Sequence, residues 1–248
     1  MTDRTMKHRL ALSLVLIGAL LAAQPLVRAD APTPDPARWE KAMQQFAEQD
    51  RHHPPGDGAI LFVGSSSIRM WKTAESFPQY DVINRGFGGS QSPDVLYYMD
   101  RIVLPYNACA IVYYEGDNDI ATGRSAQQVA DDFAEFMHRL REHSPDTPLL
   151  YLPIKPSGSR WEYWPEMEKA NKMIKDQCDH DEHLYYVETA APLLGEDGKP
   201  QADLFLDDSL HLNDKGYALW NNIVTPLLEK LCPPAKATTG ASSEASSG

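Results

Sequence analysis

The chain has 248 residues, 42% of them hydrophobic and 23% charged, enough for one substantial core within a single domain. A mean hydropathy of -0.44 excludes a multi-span membrane protein. Residues 1–29 hold Arg4, Lys7, Arg9 and Arg28 against Asp3, so of the formal net charge of -12 the rest of the chain carries -15. That surface repels phosphate backbones and anionic headgroups; it argues against nucleic acid or stable membrane association and favours an uncharged or cationic ligand.

In chain order, a basic start precedes the apolar run Leu10–Ala23 and the small-x-small pattern Val27-Arg28-Ala29. This reads as a secretory signal peptide over 1–29, and so predicts export to the periplasm or medium. Fourteen apolar residues are fewer than the roughly 20 that span a bilayer. A Pro-rich linker comes next, and Asp35-Pro36 offers an N-cap and first-turn proline for a helix to about Asp50. Apolar runs of strand length then appear at Ala59–Val63, Asp81–Asn84, Ala108–Tyr114, Pro148–Pro153 and Leu184–Val187. Helical patterns lie between and after them. One opens at Ser92-Pro93, and one starts on the Ser125/Gln128 capping box and reaches His143. Two more run over Trp164–Asp181 and Asn213–Leu231. Five nearly continuous apolar strands alternating with helices predict a five-stranded parallel sheet in a three-layer α/β/α domain over 30–232. From 233 to 248 the chain lacks aromatics and periodicity, and reads as a disordered tail.

The three cysteines, Cys109, Cys178 and Cys232, show no CxxC spacing, so neither a zinc site nor a redox motif is indicated. Cys109 lies in an apolar run and reads as a core residue. Cys178 and Cys232 sit near predicted helix ends, and a bridge between them is one pairing the sequence leaves open.

In parallel α/β sheets ligands gather at the C-terminal strand ends, so the residues just beyond each strand matter most. After the first comes Gly64-Ser65-Ser66-Ser67, a hydroxyl on a tight turn or simply a helix cap. After the second comes Gly86-Phe87-Gly88-Gly89, where glycines let backbone N–H groups approach a ligand, or form a plain loop. Beyond the third lies Gly116-Asp117-Asn118-Asp119, with an amide able to donate to an oxyanion or to form an Asx-turn. Near the C-terminus, Asp208 stands three residues before His211, a spacing that lets a carboxylate fix an imidazole. Asp207 is a rival acid at spacing four. Lys155–Trp161, after the fourth strand, is a candidate lining of the cleft, alongside its reading as a surface loop.

The four blocks in the order Ser, Gly, Asn, His resemble those of the SGNH hydrolase superfamily (GDSL-type esterases and lipases, platelet-activating-factor acetylhydrolase-like) over about Ala59–Leu231. The resemblance implies a flavodoxin-like α/β/α sandwich and ester hydrolysis needing neither metal nor other cofactor. It implies Ser66 as nucleophile, Asp208 and His211 as acid and base, and an oxyanion hole of Ser66, Gly89 and Asn118. The chain departs from the pattern at Ser65, where the family carries Asp. Ser65 and Ser67 stay open on composition, and Ser66 rests on register with the family block. Two rivals stand beside this reading: a metal-dependent phosphoesterase using Asp117, Asn118, Asp119, Asp208 and His211, and a binding module on an inactive hydrolase fold. The expected substrate is a small-molecule or glycan ester with a short acyl group, since no lid insertion for long chains is visible. Export and the acidic surface favour a neutral acetylated glycan. Oligomeric state is not legible.

Overall fold

The computed structural model describes residues 35–234; the expected signal peptide over 1–29, most of the expected linker and the expected tail from 235 lie outside the described residues. Five short apolar runs form strands β1 (Ile60–Gly64), β2 (Val82–Gly86), β3 (Ala110–Tyr114), β4 (Leu149–Tyr151) and β5 (Leu184–Tyr186). All neighbours are parallel, in the order β2-β1-β3-β4-β5. The predicted parallel sheet is therefore present.

Period-two alternation explains the three layers. Leu61, Val63, Ile111, Tyr113, Leu149 and Tyr151 point to one face; Ile60, Phe62, Ala110, Val112, Tyr114 and Leu150 point to the other. The first face is covered by α1 (Glu40–His52), α4 (Ser92–Ile102), α6 (Ala126–His143) and α7 (Trp164–Cys178), which contribute Met43, Met99, Phe136 and Ile174. The second is covered by short α2 (Ser66–Arg69), the residues after it, and α8 (Asp214–Leu231), with Ile68, Trp71, Phe77, Trp220 and Leu228. Both faces being buried is why these strands read as apolar runs rather than alternating ones.

Helix starts obey the capping chemistry. Asp35 accepts from Ala37 N at 2.9 Å and caps a 3₁₀ turn (Pro36–Trp39) leading into α1. Ser125 and Gln128 form a reciprocal capping box on α6. Asn213 accepts from Lys215 N and Gly216 N at the start of α8.

The structure corrects several expectations. β4 is three residues long where six were expected, because Pro148 and Pro153 have no N–H to donate and bound the run. Short helices α2, α3 (Thr73–Ser76) and α5 (Asp117–Ala121) are too brief to leave a periodic trace. The disulfide joins Cys109 to Cys232, with Cα atoms 5.9 Å apart. Cys178, free and buried, packs in the core on one face of the sheet and Cys232 in the core on the other, so the sheet separates them. Cys109, at the entry to β3, is on the right side to meet the end of α8. Among the described residues no helix is long and apolar enough to cross a membrane.

Candidate active site

Register places Gly64 beside both Gly86 and Tyr114, so β1, β2 and β3 end level and the loops beyond them form one floor. Gly64 leaves β1 with φ 148°, and a Cβ there would lie 2.0 Å from the Tyr114 carbonyl oxygen. Only glycine permits this crossing between adjacent strand ends. The chain then turns straight into α2. Of the three serines, Ser65 (2% exposed) and Ser67 (1%) face inward, while Ser66 opens onto the cleft. The local geometry thus separates residues that composition left equivalent.

His211 reaches Ser66 from the other end of the chain. Leu206 N donates to His211 O at 2.8 Å, and Phe205 bridges Leu212, so 206–211 closes as a tight loop with Ser209 at φ 52°. His211 Nε2 lies 2.9 Å from Ser66 Oγ, and His211 Nδ1 lies 2.6 Å from Asp208 Oδ2. Asp208 Oδ1 also accepts the backbone N–H groups of Leu210 and His211, both at 2.9 Å. Its modest burial alone would raise its pKa, but the His211 bond and these two N–H groups outweigh that and hold the carboxyl at about 2. The ring therefore bonds Asp208 and not its neighbour Asp207.

The loops carrying Gly89 and Asn118 are tied together by buried polar bonds. Asn118 Nδ2 donates to Ser90 O at 2.8 Å, Ser90 Oγ donates to Glu115 Oε1 at 2.5 Å, and Ser92 N donates to Asp119 Oδ1 at 3.1 Å. Burial drives the Glu115 carboxyl well above its usual range, and lifts Asp119 to about 7 despite the charge of Arg124 beside it. Gly89 itself has φ 85°, with the Trp39 ring beyond it.

A cationic clamp from the Lys155–Trp161 segment fixes the Asn118 amide. Arg160, in a 3₁₀ turn (Gly158–Tyr163), donates from Nη2 to Asn118 Oδ1 at 2.9 Å and from Nη1 to Asp117. Buried Lys155 donates to Asp117 Oδ2 at 2.7 Å. Burial would raise the Asp117 carboxyl, but the two cations hold it at about 2. Ser159 N donates to Ser209 O at 3.1 Å, tying this segment to the histidine loop. The 155–161 segment thus meets the cleft through Arg160, while Lys155 lies beneath it. The residues weighed as metal ligands do not share one centre: Asp117 is engaged by Lys155 and Arg160, Asp119 by Arg124 and Ser92 N, and Asp208 by His211. Among the described residues no group of three or more His, Cys, Asp or Glu is placed to hold a metal ion.

Ser66, Gly88, Gly89, Asn118, Arg160 and His211 line one open cleft of about 660 Å³. Its far wall is Trp39 together with Ala42, Gln45, Phe46 and Gln49 of α1, a helix the sequence marked but gave no place at the site. Arg69, three residues after Ser66, also lines it.

A family model described as "GDSL-like Lipase/Acylhydrolase family" matches residues 64–219, more than half of the chain. Among solved structures, a Streptococcus pneumonia protein named for platelet activating factor superposes with a TM-score of 0.69 at 21% identity, over 77% of this chain and 93% of that one. A GDSL-like lipase from Bacteroides thetaiotaomicron gives 0.67 at 16% identity, over 76% and 97%. A Bacteroides fragilis protein named as an acylhydrolase gives 0.66 at 16%, over 80% and 99%. At these identities the likeness is one of fold. No curated protein matches the chain.

Proposed function

The chain belongs to the GDSL-like lipase/acylhydrolase family, hydrolases that act on esters, and from that premise we propose that it is an exported serine esterase forming an acyl-enzyme on Ser66. The observation carrying this is the unbroken chain Ser66 Oγ–His211 Nε2 at 2.9 Å and His211 Nδ1–Asp208 Oδ2 at 2.6 Å. His211 takes the Ser66 proton as Oγ attacks the ester carbonyl, and Asp208 holds the ring tautomer and stabilises the imidazolium. The oxyanion is met by the backbone N–H groups of Ser66 and Gly89 and by Asn118 Nδ2. An amide nitrogen has two hydrogens: one is engaged by Ser90 O, which leaves the other for the oxyanion in the cleft that Asn118 lines. His211 then protonates the leaving alcohol, and water attacks the acyl-enzyme along the reverse path.

An open cleft of about 660 Å³ suits short acyl or acetyl esters of small molecules or glycans. Export is supported by the signal-like sequence of 1–29 and by the Cys109–Cys232 disulfide, since such bonds persist in oxidising compartments.

The test is hydrolysis of p-nitrophenyl acetate and octanoate by wild type, Ser65→Ala, Ser66→Ala and Ser67→Ala, each with and without chelator. The expected result is chelator-indifferent activity favouring acetate, lost by at least a thousandfold only in Ser66→Ala. Activity retained in Ser66→Ala would overturn the assignment.

A further inference from the structure

Of the nine arginines among the described residues, eight pair with a carboxylate: Arg38, Arg51, Arg85, Arg101, Arg124, Arg139, Arg141 and Arg160. The Arg69 backbone N–H donates to Ser65 O at 3.0 Å, but its side chain makes no hydrogen bond or ion pair with any described residue, in a chain with 35 acidic residues against 23 basic ones. Its place is specific. It is the last residue of α2, three after Ser66, a helical spacing that sets the two side chains on neighbouring positions of one face. Its guanidinium lies against Gly88: a Cβ on that glycine would come within 2.7 Å of Nε and 3.0 Å of Nη2. The bare backbone beside Gly89 is thus what admits the planar group to the cleft. Arg69 also stands where this cleft meets a second hollow of about 550 Å³, with which it shares Phe46, Gln49 and Gly86.

A guanidinium without an acid, exposed on the wall of the cleft that the nucleophile lines, offers a planar fork of N–H donors that matches a carboxylate or phosphate. We propose that Arg69 selects esters carrying an anionic group, carboxylate or phosphate, close to the scissile bond. This rests on Ser66 being the nucleophile, and it departs from the expectation of a neutral substrate drawn from net charge. Net charge acts at long range and is screened within about 10 Å at ordinary ionic strength, whereas Arg69 acts at contact.

The test uses two matched pairs of esters. Mono-p-nitrophenyl succinate against p-nitrophenyl butyrate places the charge on the acyl side; 4-acetoxybenzoate against its methyl ester places it on the alcohol side. In one pair, Arg69→Gln is expected to lower kcat/KM for the anionic member at least tenfold more than for the neutral one, with Arg69→Lys intermediate. Equal losses within both pairs would overturn the proposal. A second readout does not need turnover: titration of Ser66→Ala with benzoate and with inorganic phosphate, followed by tryptophan fluorescence. Saturable quenching that disappears in Ser66→Ala/Arg69→Gln supports the anion site and tells carboxylate from phosphate; unsaturable quenching by both anions overturns it. A wild type that hydrolyses none of the four esters yet shows the Arg69-dependent quenching would refute the esterase reading while leaving the anion site standing.

Discussion

The disulfide supports a prediction whose size can be worked from the fold. Cys109 and Cys232 are 123 residues apart in sequence, and their bond closes β3, β4, β5 and α8 into one loop. Chain-entropy reasoning puts the stabilisation from a loop of this length at about 5 kcal/mol, near the upper end of what disulfides deliver, so about 3–5 kcal/mol is expected. For a domain of this size each kcal/mol moves Tm by roughly 2–4 °C, so Cys109→Ser/Cys232→Ser should melt about 6–20 °C lower than wild type. Activity at 25 °C should hardly change. Cys109 enters β3 at the end opposite Asn118, and Cys232 closes α8 18 residues beyond its start beside His211, about 27 Å away along the helix axis. The assay pairs differential scanning calorimetry with thiol titration of the unreduced, denatured protein. One reactive thiol is expected, mapping to Cys178. Three thiols, or labelling at Cys109 or Cys232, would refute the pairing, and an unchanged Tm in the double variant would refute the loop-closure argument.

Three further outcomes are expected. Arg160→Ala frees the Asn118 carboxamide to rotate, so kcat should fall about 10- to 100-fold, within the roughly 3 kcal/mol one oxyanion donor is worth, with KM for a neutral ester changing little; a KM-only effect in steady-state kinetics would contradict that positioning role. Gly64→Ala drives a Cβ onto the Tyr114 carbonyl, backbone against backbone, and should cost more than about 3 kcal/mol, read as a lowered denaturation midpoint or failure to fold. Because Asp119 is raised to about 7 in the folded state from an ordinary 3.8, its contribution is full below about pH 4 and is lost as pH rises through about 7; Asp119→Asn should flatten the fall in urea stability between pH 4.5 and 7.5, by about 4 kcal/mol at most, and an unaltered pH profile would count against the buried protonated acid.

The sheet was legible because each strand is buried on both faces, which turns tertiary burial into a local apolar run; the Asp35 cap before α1 and the Ser125/Gln128 box of α6 were legible because capping is settled within four residues. The site blocks were legible for a related reason: Ser66, Gly89, Asn118 and the Asp208/His211 pair each come just after a strand or sit in one short loop, and family register supplied their order. Their meeting was not. Ser66 and His211, 145 positions apart, are brought to 2.9 Å only by α/β topology, and the physical difference between Ser66 and the buried Ser65 and Ser67 shows only in the turn that follows Gly64.

What only the tertiary structure decided are the contacts between segments that carry no local signal. Cys178 is as close to a helix end as Cys232, yet the sheet lies between them, and sequence position does not say which face a helix will cover. Arg160 reaches Asn118 across 42 residues, and Arg69 is left unpaired because no carboxylate from any described element arrives beside it. Secondary structure and catalytic chemistry are written in neighbouring residues, where backbone geometry is short-ranged; pairing, burial of charge and the walls of the cleft depend on which distant surfaces the packed sheet brings into contact.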